Sequence, residues 1–416
     1  MGRPFTFVHA GDVHLDAPFA GISARDDRVR ETLVRATYEA FDKIATIAIE
    51  SRVAFVLLSG DVYNSRDKSV RAQFRFRSVM ERLDSAGIQV YLVHGNHDPA
   101  DGFSAGLKMP DNVRYFDCAT VERIEHRDTE GRVLCALYGQ GYRTAAVTEN
   151  LAKRFSRNDA DETAIGVLHA NVGGQMDYEP YAPCSLDDLR AARMDYWALG
   201  HIHKPADLAE NPRIRYCGSP QGLNPKETGA HGCWIVTMDR GKVLSERFVE
   251  TASVRWERAD IDVLGVSDIE GLTSAIRDAC EDKSREANGL PVILRVYLKG
   301  RSEVYQHVSR GFALDELVEE LREEQLQRSP WVWIQRAYNQ IEPELDIDFL
   351  RDAEDFTGDM IRIADEMLTP ATARKLLDEA LEDLDKALKC FDSDAEELVQ
   401  RARNLAVGRF MTEDDR

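Results

Sequence analysis

Apolar positions in the first half of the chain fall into short runs that repeatedly stop at a glycine and a polar residue. Phe5 to Ala10 (FTFVHA), Ala54 to Leu58 (AFVLL) and Val90 to Val93 are mostly apolar runs with β-branched and aromatic residues, a pattern that predicts strands. Between them, Arg25 to Ser51 sets Val29, Leu33, Ala36, Ala40, Ile44, Ile47 and Ala48 on one side, which predicts a helix, and a second helix is expected over Lys68 to Ala86. Strand, helix, strand, helix, strand implies right-handed crossovers and a parallel sheet that gathers ligands at the carboxyl ends of its strands.

Further strands are expected at Val113 to Phe116, Val121 to Ile124, Val133 to Leu137, Ala164 to Leu168 and Tyr196 to Leu199, with a helix over Ala145 to Phe155. Arg213 to Cys217, Cys233 to Met238 and Val243 to Val249 suggest a closing meander around a long loop, Gly218 to Gly232. Past Val263 the pattern changes. A helix at Asp268 to Asp282, a strand at Val292 to Leu298, a helix at Leu314 to Leu326 and a strand at Val332 to Tyr338 predict a small α/β unit. From Asp348 the chain is acidic and helix-forming, with a break at Thr369-Pro370 and apolar spacing at Leu376, Leu377, Ala380, Leu384 and Leu388. The expected division is 1–262, 263–341 and 342–416.

A length of 416 residues exceeds what one core usually supports, in keeping with several domains. No apolar run approaches the roughly 20 residues of a membrane span, and the N-terminus lacks a signal-peptide pattern, so the chain reads as cytoplasmic without a membrane partner. Seven cysteines are scattered and never form CxxC, which favours small apolar core residues over disulfides or zinc. The net charge of −20 argues only weakly against a nucleic-acid substrate. Residues 331–416 hold 22 acidic and 11 basic side chains, so more than half of the excess is remote from the strand-end groups.

Those strand-end groups carry the chemistry. Asp12 and His14 follow the first strand, Asp61 the second, and Asn96, His97 and Asp98 the third; His169, His201 and His203 follow two later ones. Mixed nitrogen and oxygen donors in this number exceed the needs of one divalent cation and suit two, with an aspartate able to bridge them. The set favours manganese, with iron or zinc as alternatives, over magnesium. His97 can serve as a catalytic base or acid or as a metal ligand, and Asp98 either orients it or caps the following turn. Arg66, Arg71 and Arg75 offer contacts to a phosphate backbone, or else form a solvated helix face.

In this order, DVH, GD, GNHD, H and GHIH resemble the motifs of the calcineurin-like metallophosphoesterases. VHAGDVHLDAPFAG (8–21) and YCGSPQGLNPKETGAHGCWIV (216–236) resemble the DNA repair exonucleases of the SbcD group, especially its YhaO-like members. GDVYNSR at 60–66 departs from the GDxxDRG of calcineurin-type protein phosphatases, which disfavours that branch, and Asn64 stands where some relatives have a histidine. The resemblance implies an α/β fold, a four-layer α/β/β/α sandwich followed by a small α/β capping domain and C-terminal helices. It also implies one metal held by Asp12, His14, Asp61 and His203, a second held by Asp61, Asn96, His169 and His201, and His97 left for catalysis. The implied activity is DNA exonuclease, with single-strand endonuclease activity as a possible addition. The implied partners are an SMC-like ATPase of the SbcC kind, docked on the C-terminal helices, and a second copy of the chain. Two other readings stay open: a phosphodiesterase for small or cyclic nucleotides, and a DNA-end-binding scaffold with marginal catalysis.

Overall fold

A computed structural model describes residues 3–15, 17–19, 26–64, 69–175, 178–309, 312–367 and 395–413, with single helical positions at 372, 375 and 379. Its chain forms two compact units, Met1–Glu257 with Leu290–Val292, and Arg258–Gly289 with Ile293–Arg416.

The first unit is built on two six-stranded sheets. In chain order its strands are β1 (Phe5–Ala10), β2 (Phe55–Leu58), β3 (Gln89–Leu92), β4 (Val113–Tyr115), β5 (Glu122–Arg127), β6 (Val133–Gly139), β7 (Ala164–His169), β8 (Tyr196–Gly200), β9 (Ala206–Ala209), β10 (Arg213–Tyr216), β11 (Gly232–Asp239) and β12 (Lys242–Glu250). One sheet runs β12-β11-β1-β2-β3-β4 and the other β5-β6-β7-β8-β10-β9. From β1 to β4 neighbours pair in parallel, with Ala10 opposite Leu58 and Leu58 opposite Leu92, so three strands end level. In the other sheet β7 and β8 are parallel, with His169 opposite Gly200.

Between the sheets lies a core of Phe7, Phe55, Leu57, Tyr91, Ile165, Val167, Tyr196, Val236 and Met238. Burying each large apolar side chain contributes roughly 1.5–3 kcal/mol. Helices α1 (Asp27–Glu50) and α2 (Val70–Ser85) cover the outer face of the first sheet through Phe41, Ile44, Phe76, Val79 and Leu83. Asp26 and Ser69 cap them by accepting from backbone amides of the first turn. The outer face of the second sheet packs on Leu151, Phe155 and Leu189, the last from the short α3 (Leu186–Ala191). This mixed α/β architecture of two large sheets flanked by helices is the expected sandwich.

Three local readings change. The helix expected over Ala145 to Phe155 is only a 3-10 turn at Leu151–Arg154, because the carbonyl of Val147 instead accepts from Ala182. The expected meander is split: β10 joins the second sheet beside β8, whereas β11 and β12 form a hairpin on the first, antiparallel to β1. The short strand β9, which pairs with β10, was not anticipated.

The second unit centres on a three-stranded sheet of β13 (Arg255–Asp262), β14 (Val292–Arg301) and β15 (Val332–Glu342). Helices α4 (Ile269–Glu286), α5 (Tyr305–Val308) and α6 (Ala313–Leu326) connect its strands. Then follow α7 (Ile347–Arg351), α8 (Phe356–Met367) and α9 (Ala395–Glu413). The break at Thr369-Pro370 and the apolar spacing from Leu376 to Leu388 lie outside the described residues. The six cysteines described are free, and five of them are buried; Cys390 lies outside the described residues.

Candidate metal centre

Five strand ends supply the centre. Asp12 and His14 leave β1, Asp61 leaves β2, Asn96 and His97 leave β3, His169 ends β7, and His201 and His203 leave β8. The turns are tight because the backbone is left-handed at Asp12, His14, Asp61 and His201, with φ of 48°, 47°, 50° and 101°. Side chains other than glycine adopt this region rarely, and it clusters at functional sites. Gly95 lets the third turn approach closely, since a β-carbon there would lie 2.2 Å from Oδ1 of Asp61.

The donor atoms converge. Those of Asp12, His14 and His203 lie within 4.8 Å of one another, as do those of Asp12, Asp61 and His169, and those of His14, Asp61 and His97. Nε2 of His14 lies 3.1 Å from Nε2 of His203. Oδ2 of Asp61 lies 3.2 Å from Nε2 of His169 and 3.9 Å from Nε2 of His14, between the two groups. Oδ1 of Asn96 lies 2.9 Å from Nε2 of His169 and 3.3 Å from Nδ1 of His201. The seven expected ligands are thus brought together, and all but Asn96 and His203 are buried.

The donor set fits divalent cations. Two imidazole nitrogens aimed at each other beside two buried carboxylates form a seat that positive charge relieves. Electrostatics agree. Burial pushes the Asp12 carboxyl up to about 6, against the pull of His169 and His203. Burial also opposes ionisation of Asp61, yet His169, by charge and by hydrogen bond, together with His14 and His97, holds it below the usual carboxylate range. Burial lowers His169, but Asp61 and Asp12 outweigh it and raise it to about 9. Burial pushes His14 well down, and burial with the charge of His169 takes His201 to about 4.

His97 is exposed above the buried donors, its ring edge-on to His14 with centroids 4.9 Å apart. Its Nδ1 lies 2.9 Å from the carbonyl oxygen of Asn64, so Nδ1 carries the hydrogen. The orienting partner is thus this carbonyl. Asp98, expected either to orient His97 or to cap the following turn, is a buried backbone clamp: its carboxylate accepts from the amides of Gly95 (2.9 Å), Val62 (2.8 Å) and Tyr63 (3.4 Å), tying the turn after β3 to the turn after β2. Arg75 pairs with Asp42, and the Arg71 guanidinium sits 5.6 Å from the ring centre of Tyr38. These contacts are to α1, which favours the solvated-face alternative for both. Arg66 lies outside the described residues.

One functional neighbour escaped the sequence reading. Glu227, in the loop before β11, places Oε1 2.7 Å from Nδ1 of His203. Burial lowers His203, but the hydrogen bond to Glu227 together with the charges of Asp12, Glu227 and Asp61 outweighs it and raises the imidazole; burial raises Glu227, but the hydrogen bond and charge of His203, with the Leu223 amide and His231, outweigh it and lower the acid. Its only signal was an acid within the quoted GSPQGLNPKETGAHG stretch, whose partner is 24 residues away. In the same loop Ser219 meets His231 and receives no role at the centre.

Comparison with known proteins defines the class. Residues 5–205 match the family described as calcineurin-like phosphoesterase, and residues 256–341 match the middle domain of metallophosphoesterase YhaO. The chain belongs to the calcineurin-like metallophosphoesterases, a family of metal-dependent hydrolases. Over 348 residues it is 34% identical to the uncharacterized metallophosphoesterase YhaO of Bacillus subtilis, covering 83% of this chain and 84% of that protein. It is 26% identical over 224 residues to the DNA double-strand break repair protein Mre11 of Sulfurisphaera tokodaii, covering 53% of this chain and 55% of that one. The SbcD component of the nuclease SbcCD of Escherichia coli is 25% identical over 278 residues, covering 57% of this chain and 66% of that one.

Proposed function

We propose that this metallophosphoesterase is a two-metal DNA phosphodiesterase, an exonuclease of DNA repair. The observation that carries the reading is the convergence of seven nitrogen and oxygen donors from five strand ends beneath one exposed imidazole. Two divalent cations, with manganese our assignment, supply the positive charge that neutralises phosphoryl oxygens and acidifies a water. Asp12, His14, Asp61 and His203 would hold one, and Asp61, Asn96, His169 and His201 the other, with Asp61 between His14 and His169 able to serve both. His97, its Nδ1–H fixed on the Asn64 carbonyl, presents Nε2 to protonate the leaving 3′- or 5′-oxygen. DNA is favoured as substrate by the names of the Mre11 and SbcD relatives, of which this chain spans 55% and 66%.

We assign residues 342–416 to docking on an SMC-like ATPase. Phe349, Phe356 and Ile363 there are 74%, 62% and 57% exposed, and these exposed apolar side chains support the reading. No described helix is long and apolar enough to cross a membrane.

Incubating the chain with Mn2+ and end-labelled duplex or single-stranded DNA, beside bis-p-nitrophenyl phosphate, tests the activity. Stepwise shortening of the DNA is expected. Turnover of the small ester alone would point to a phosphodiesterase for small nucleotides, and binding of DNA ends without turnover of either would point to a scaffold.

A further inference from the structure

Each imidazole of the centre has a second ring nitrogen, and what that nitrogen meets differs. Nδ1 of His169 faces the carbonyl of Ser59 at 3.0 Å, Nε2 of His201 that of Glu179 at 2.8 Å, and Nδ1 of His97 that of Asn64 at 2.9 Å. Nothing among the described residues hydrogen-bonds to the buried Nδ1 of His14. Among the described residues, only His203 meets a carboxylate at hydrogen-bond distance, Oε1 of Glu227 at 2.7 Å; the carboxylate oxygen nearest Nδ1 of His169, Oδ1 of Asp12, lies 3.8 Å away.

Glu227 is 7% exposed and held from other directions as well: Oε2 accepts from the amide of Leu223 at 2.7 Å, and Oε1 also receives the side-chain amide of Asn224. A backbone carbonyl fixes a tautomer. A carboxylate fixes it and also adds negative charge, which makes the opposite nitrogen a stronger donor to a cation. Because the carboxylate only accepts, Nδ1 of His203 carries the hydrogen, and the Nε2 lone pair points toward His14 and Asp12.

We propose that Glu227 is a positioning residue that makes the Asp12–His14–His203 seat the tighter of two, so that the metals bind in a fixed order. The inference rests on the two-metal reading and assigns the order to one carboxylate. The seat built from Asn96, His169 and His201 has carbonyl-backed imidazoles and fills second.

Calorimetric titration of the metal-stripped full chain with Mn2+, with metal counted after desalting, tests this. The wild type should bind two equivalents in two resolved steps. Glu227→Gln should weaken the tighter step by about 10- to 100-fold and leave the other step in place. His201→Ala should weaken only the weaker step. Asn224→Ala removes a loop contact of Glu227 but not the bond to His203, and should leave both steps unchanged; if it weakens the tighter step as much as Glu227→Gln does, Glu227 is only a loop anchor and the proposal fails. It also fails if the wild type binds both equivalents with one affinity, or if Glu227→Gln binds as the wild type does. A wild type that binds no Mn2+ overturns the two-metal reading itself.

Discussion

Nδ1 of His97 lies 2.9 Å from the carbonyl oxygen of Asn64, and this contact decides which face of the ring meets a substrate. The hydrogen sits on Nδ1, which leaves Nε2 as the nitrogen with a lone pair. His97→Ala should keep both metals and lose roughly 100-fold or more in turnover, as loss of a general acid does. Metal analysis beside a rate measurement checks it; because His97 also lies within reach of His14 and Asp61, loss of metal in the variant would make it a ligand instead.

Asp98 acts through the backbone. Asp98→Ala leaves the amides of Gly95, Val62 and Tyr63 without this acceptor, at about 1–3 kcal/mol for each buried donor left unsatisfied. A urea midpoint lowered accordingly, with an unchanged shape of the pH–rate profile, is the expected result. A profile that loses one limb would return Asp98 to the chemistry.

At Gly95 a methyl group would lie 2.2 Å from Oδ1 of Asp61 and 2.9 Å from its amide nitrogen. Gly95→Ala should therefore displace the aspartate that lies between His14 and His169. We expect a folded protein by circular dichroism with Mn2+ affinity reduced by at least tenfold; wild-type affinity would show that the turn yields.

His126, buried between the sheets, accepts or donates through Nδ1 to the Tyr91 hydroxyl at 2.9 Å, and burial pushes its imidazole down to about 4. The unfolded chain, with a value near 6.5, binds this proton first. Stability from His126 is thus complete above pH 6.5 and is lost as the pH falls toward 4, by about 3 kcal/mol at most. His126→Asn should start less stable at pH 7.5 and fall less steeply; parallel urea midpoints from pH 7.5 to 4.5 would contradict the assignment.

The sites read most easily from sequence are those that repeat. Strand, glycine and ligand recur at Gly11-Asp12, Gly60-Asp61, Gly95-Asn96 and Gly200-His201, so the donors announce themselves by position. Partners fixed by tertiary packing do not. Glu227 reaches His203 across a loop, Asp98 turns toward amides of another turn, and Asn64 acts through its carbonyl, for which side-chain identity carries no signal. The split of β10 from β11 was hidden for the same reason, since each run looks alike until its neighbour is known. β13 was missed although Trp256, Ala259 and Ile261 are buried along it, because charged residues interrupt the run.

The left-handed backbone at Asp12, His14, Asp61 and His201 has a cost of its own. Each such residue is held against its preference by on the order of 1 kcal/mol, so the fold carries its donors already bent toward the centre before any metal arrives. A glycine at any of the four would relax the chain and remove a ligand in the same step. At Asp12 and Asp61 the carboxylate also accepts a backbone amide, from His201 and from His97, each at 2.9 Å, so the same side chains that strain their own backbone tie the turns to one another.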